Sequence, residues 1–250
     1  MRKYLIISIF GLIILVLVVG FLIWRRKPPV ESKSIPEPEG VIIETPLEER
    51  PFVSLTPRAD GKEFTLEIER IRNAETIEYE LVYLSKGFSR GVIGSIDLDG
   101  ETSVSRKLLL GTCSRGVCKY DEGVENGTLT LRFRESEGVR KFMAGFHLQQ
   151  GGEELTSIDG NFKLEGQFSP DLFYLIMSTI GLPQAIEGRV VGQPYGVFTS
   201  GSKKIKKSTV TLSLPGAKDE AKIYFWSGKK WTPVADSVDA LGVFVAVASE

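Results

Sequence analysis

From Phe52 onward, apolar and polar residues alternate along the chain with a period of two. Glu63–Glu69 reads EFTLEIE and sets Phe64, Leu66 and Ile68 on one side with charges on the other. Thr76–Leu84 does the same with Ile77, Tyr79, Leu81 and Tyr83. Thr128–Arg134 groups Leu129, Leu131 and Phe133, and Lys141–Leu148 groups Phe142, Ala144, Phe146 and Leu148. Successive side chains of a strand point to opposite faces, so this pattern predicts half-buried antiparallel strands. Asp99-Gly100, Asn126-Gly127 and Asp159-Gly160 read as hairpin turns between them. Short strands with regular turn signals predict a sandwich-like first β domain over about 51–168.

Ser169–Pro183 is less clear. Its run LFYLIMSTIG lacks alternation, is aromatic and β-branched, and closes at Gly181 and Pro183. A buried strand is expected, with a short helix from Ser169-Pro170-Asp171 as the alternative. Alternation resumes over 184–250, a small C-terminal β domain, with Val210, Leu212 and Leu214 on one side, then KIYFW and VFVAVA. The run from Thr209 to Ser249, with its strand, Tyr224-Phe225-Trp226 hairpin and final apolar strand, resembles the closing β segment of bacterial cell-surface and ZU5-like modules. The resemblance implies an extracytoplasmic β module and brings no catalytic residues.

The amino terminus follows a different rule. Tyr4–Trp24 is an uninterrupted uncharged stretch between Arg2-Lys3 and Arg25-Arg26-Lys27. As a helix it would span ~30 Å, the thickness of a bilayer core, with Tyr4 and Trp24 at the interfaces. It is longer than a signal-peptide core and lacks a small-residue cleavage site, so an uncleaved anchor over 4–24 is expected. The chain then contacts the lipid bilayer through 4–24, leaves 1–3 as a cytoplasmic tail and places its bulk outside the cytoplasmic membrane. Flanking charge alone slightly favours the reverse orientation; a three-residue tail and the ease with which long domains translocate oppose it. Residues 25–50 form a Pro/Glu-rich linker, an extended stalk in which Val41-Ile42-Ile43 is a candidate edge strand. The expected whole is an all-β ectodomain, antiparallel and sandwich-like, on one N-terminal transmembrane helix.

Charge and composition narrow the chemistry. Lys and Arg total 31 against 32 Asp and Glu, but residues 28–250 hold 26 basic and 32 acidic groups, a net of −6. Nucleic acid is a poor partner for such a surface. The one histidine, His147, excludes multi-His metal sites. No cofactor is expected.

Cys113 and Cys118 bracket Ser-Arg-Gly-Val, and Gly116 permits a tight bend; in an oxidising compartment they predict a hairpin disulfide worth about 2 kcal/mol. Gly87-Phe88-Ser89-Arg90-Gly91 matches a nucleophile elbow, but a strand follows where that elbow needs a helix, and His147 sits within an alternating strand. Asp97-Leu98-Asp99-Gly100-Glu101 resembles a calcium-loop fragment, yet the twelfth position is Leu108 rather than Glu, so an Asp-Gly turn explains it better. Asn126-Gly127-Thr128 is formally a glycosylation sequon as well as a turn. Lys203, Lys204, Lys206 and Lys207 form the densest basic run, open to an anionic polymer or to solvent alone. Trp226 and Trp231 flank a four-residue loop; exposed, they would stack on a sugar ring, and buried, they form a cross-strand pair worth about 0.5–1 kcal/mol. The reading is a non-enzymatic surface-binding or envelope-scaffolding protein, partnered by an envelope protein or glycan. A carbohydrate- or wall-polymer-binding module is the alternative, and a serine hydrolase the distant third.

Overall fold

A computed structural model describes residues 44–214 and 220–248. The expected anchor, the linker up to residue 43 and Val41-Ile42-Ile43 lie outside the described residues. No described helix is long and apolar enough to cross a membrane.

The described chain is an all-β antiparallel multi-sheet fold. Its strands are β1 (Phe52–Pro57), β2 (Glu63–Glu69), β3 (Thr76–Ser85), β4 (Phe88–Asp97), β5 (Val104–Leu109) and β6 (Gly111–Ser114). They continue with β7 (Val117–Tyr120), β8 (Val124–Glu135), β9 (Gly138–Gln150), β10 (Glu154–Thr156), β11 (Phe162–Glu165) and β12 (Phe173–Ser178). The last six are β13 (Arg189–Phe198), β14 (Lys204–Leu212), β15 (Ala221–Trp226), β16 (Trp231–Pro233), β17 (Val238–Ala240) and β18 (Val243–Ala248).

One nine-stranded sheet, in the order β16-β15-β18-β13-β12-β9-β8-β3-β4, runs through the molecule. Strands from both stretches, 51–168 and 184–250, take part in it. A three-stranded sheet, β1-β2-β5, and a four-stranded sheet, β10-β11-β14-β17, flank it, and β6-β7 stands as a separate hairpin.

The packing follows from β12 at the centre. Leu175 and Met177 belong to one apolar core with Leu55, Phe64 and Phe146. Tyr174 and Ile176, the alternate residues, belong to a second core with Phe162, Tyr195 and Phe244. Neighbouring strand residues face opposite ways, so the two cores lie on opposite faces of the shared sheet. The β1-β2-β5 sheet covers one and the four-stranded sheet the other. A strand covered on both faces has no polar side, which is why 173–178 shows no alternation. β18, VFVAVA, is buried at every position for the same reason.

The turns depart from expectation in two places. Asn126-Gly127 is no turn: both residues lie inside β8, opposite His147 and Phe146. Glycine is needed there because a β-carbon would sit 2.3 Å from the Val82 carbonyl oxygen and 2.5 Å from the Phe146 ring. Asp99-Gly100 is a turn with positive φ at both residues, but it links β4 to β5, which belong to different sheets. Asp159-Gly160 does close the β10–β11 hairpin, with the Gly160 N–H bonded to the Ser157 carbonyl.

Candidate functional site

Of the chemistry-bearing residues named above, Cys113 meets Cys118, Trp226 meets Trp231 and Lys203 shares a cleft with Trp226, while the others disperse over the fold. The Cys113–Cys118 disulfide is present, its cysteines directly opposite each other in the β6–β7 hairpin. Arg115 and Gly116 make the tip with φ of 52° and 80°, the signature of a two-residue type I′ turn. The staple stiffens an exposed finger.

Ser89 lies on β4 just after a two-residue turn, Lys86-Gly87, between antiparallel strands. His147 lies on β9, with β3 and β8 in between, so roughly 14 Å separates them at ordinary strand spacing. The His147 Nδ1 donates to the Thr156 carbonyl at 2.8 Å. Ser89 and His147 therefore form no dyad. Among the described residues, no group of three or more His, Cys, Asp or Glu side chains is placed to hold a metal ion. A hollow of about 590 Å³ between the 60–62 and 121–125 loops holds four acids, of which three are engaged. Arg58 holds Asp60 down at about 2 through their paired hydrogen bonds. Tyr83 donates to Asp121 and Lys86 to Glu122.

The lysine run splits. β14 carries an irregularity between Lys204 and Ser208, so Ile205 packs on the second core while both Lys206 and Lys207 remain exposed. Lys206 donates to Gln167. Lys203 precedes the strand and turns elsewhere, to the border of a cleft that Trp226 also lines.

That cleft is the candidate site, a cavity of about 280 Å³. One wall is the β1 edge and β2, where Phe52, Ser54 and Thr56 alternate away from the first core and stand opposite Glu69, Glu67 and Thr65. Ser54, 5% exposed, donates to a Glu67 carboxylate oxygen at 3.4 Å and so holds that side chain in place. The other wall is the β15–β16 turn, with Trp226, Ser227 and Gly228, together with Phe198 and Lys203. Pro183 closes one end.

Local chemistry explains why Trp226 stands there. Ile223 and Phe225 pack on the second core, so Tyr224 and Trp226 must face the opposite side. The register pairs Trp226 with Trp231, their ring centroids 5.4 Å apart and tilted by 53°. Trp231 is spent structurally: its Nε1 donates to the Gln184 carbonyl at 3.1 Å and pins the 183–187 loop. Trp226 is only half-buried and keeps a surface for the cleft. Gly242 lets the β17–β18 connection pass, since a β-carbon there would sit 2.1 Å from the Trp226 carbonyl oxygen.

Glu67 and Glu69 are exposed, and among the described residues neither is in an ion pair. The cleft thus offers an indole surface and the phenyl rings of Phe52 and Phe198, two carboxylates as acceptors, one ammonium donor in Lys203, and the hydroxyls of Ser54 and Thr56. Glu67, Glu69, Phe52 and Ser54 were not singled out in the sequence. On an alternating strand they read as a solvated face, and nothing local signals that Trp226 arrives from about 160 positions away. No protein-family model, curated protein or solved structure matches the chain.

Proposed function

We propose that this protein is a non-enzymatic surface-binding protein, a sandwich-like β ectodomain held outside the cell on an N-terminal anchor, and that its Trp226 cleft takes a ring of a neutral glycan or wall polymer. The observation that carries this reading is the meeting of Trp226 with Glu67, Glu69 and Lys203 in one cleft. An indole face packs against the C–H side of a sugar, while carboxylates and an ammonium group hold its rim of hydroxyls. Two carboxylates against one lysine disfavour an anionic polymer at this spot. The anchor reading rests on Tyr4–Trp24, and the extracytoplasmic side is supported by the disulfide and by the ZU5-like resemblance of 209–249.

Retention on insoluble neutral polysaccharides and cell-wall fractions tests the reading. The protein is expected to be retained and eluted by soluble oligosaccharide, and Trp226→Ala to pass through. Retention that is unchanged in Trp226→Ala would place binding elsewhere, and no retention on any glycan would refute the function.

A further inference from the structure

We propose that two copies of this protein associate edge to edge through β4, antiparallel, with Val92 opposite Val92 of the second copy. β4 ends the nine-stranded sheet, and among the described strands only β3 pairs with it. Among the described residues, the backbone N–H and C=O groups along its other side have no strand partner. Monomeric proteins blunt such edges with short strands, prolines or charges. The far end of this same sheet is blunted: β16 has three residues and contains Pro233. β4 has ten residues and no proline. Its Ile93 is 77% exposed and its Phe88 68%.

The surface beside Ile93 continues the theme. Ile93 stands opposite Glu80, so Val82 and Leu84 on β3 share its face, and Met143 lies on that face two strands further on. All three are exposed. Glu78 and Glu80 on that face are paired within the chain, with Arg134 and Arg132.

The occupant is a second copy because β4 complements itself. An edge-to-edge pair must set outward-pointing backbone groups opposite one another and keep each sheet face continuous, so only residues of like parity pair. Centred on Val92, Ile93 falls opposite Gly91, Arg90 opposite Gly94, Ser89 opposite Ser95 and Phe88 opposite Ile96. Ile93 meets a glycine, Arg90 meets Gly94 with the Tyr79 ring laid over it, and an exposed phenylalanine gains an apolar neighbour. Centring on Ile93 sets Arg90 against Ile96, and centring on Gly91 sets Arg90 against Val92. The pair is isologous and closes on itself, so it yields dimers rather than filaments.

Full-length protein in detergent micelles tests this by sedimentation and by oxidative cross-linking. Dimers are expected, and Val92→Cys should give a chain-to-chain disulfide because residues on the axis lie ~4.5–5.5 Å apart between α-carbons. Ile93→Cys, set diagonally at ~7–8 Å from its mate, should cross-link far more slowly. Ile93→Lys, a fully surface change that leaves folding intact, should raise the concentration for half-dimerisation by about tenfold or more. A monomer at high concentration would overturn the proposal. So would a dimer that ignores Ile93→Lys and does not link through Val92→Cys.

Discussion

Truncating two adjacent residues of β12 tests whether the shared sheet joins both cores into one folding unit. Leu175 and Ile176 are both fully buried, and they face opposite cores. Each change to alanine removes three carbons, about 2.4 kcal/mol at ~0.8 kcal/mol per methylene. The cavity left behind brings each to about 3–4 kcal/mol, since packed cores relax only in part. For a unit of this size, that lowers the melting temperature by roughly 6–16 °C. Calorimetry of the purified wild type and the two variants reads the outcome. Because β9, β12 and β13 are neighbours in one continuous sheet, each variant should show a single transition, lowered by a similar amount. Two transitions, with Leu175→Ala lowering one and Ile176→Ala the other, would refute the shared-sheet argument and restore two independent domains.

Gly127→Ala should cost at least about 1–3 kcal/mol, because backbone and a buried ring block the new methyl, whereas Gly152→Ala, with open space around it, should be neutral or stabilising by up to about 1 kcal/mol; denaturant melts separate the two. Burial raises the Asp159 carboxyl, but hydrogen bonds from Ser157, Tyr195 and Asn161 outweigh it and leave the pKa lowered. A carboxyl lowered on folding stabilises above its unfolded value near ~3.9 and loses that contribution as pH falls through its folded value. Asp159→Asn should therefore destabilise at neutral pH, and the gap to wild type should shrink below about pH 4 in thermal melts. Cys113→Ser with Cys118→Ser should cost about 2 kcal/mol at most and leave the fold intact, while protein from its native host should resist thiol labelling until reduced.

Strands with one covered face were readable because alternation records which side meets the core: Phe64, Leu66 and Ile68 are buried as their spacing requires. The pattern fades where both faces are covered, as in β12, whose residues serve two cores. Turn chemistry misled where glycine answers a tertiary demand. Gly127 marks the approach of Val82 and Phe146 from neighbouring strands, contacts that no local rule encodes. The Trp226–Trp231 pairing was legible from the four-residue loop between them. The division of labour within that pair was not, because it depends on the Gln184 carbonyl and on the β1 edge, both brought in by topology. The lysine run illustrates the same limit: Lys203 precedes β14 and reaches the cleft, while an irregularity within the strand leaves Lys206 and Lys207 exposed, and neither is encoded in the run itself.

The central claim is that a sugar ring sits against Trp226. Titration of the protein with soluble neutral oligosaccharides, followed by tryptophan fluorescence and calorimetry, tests it most directly. The account predicts a saturable change that disappears in Trp226→Ala, weakens about tenfold or more in Glu67→Gln with Glu69→Gln, and persists in Ser89→Ala. Saturable binding that survives Trp226→Ala unchanged, or no binding by any neutral oligosaccharide, would contradict it.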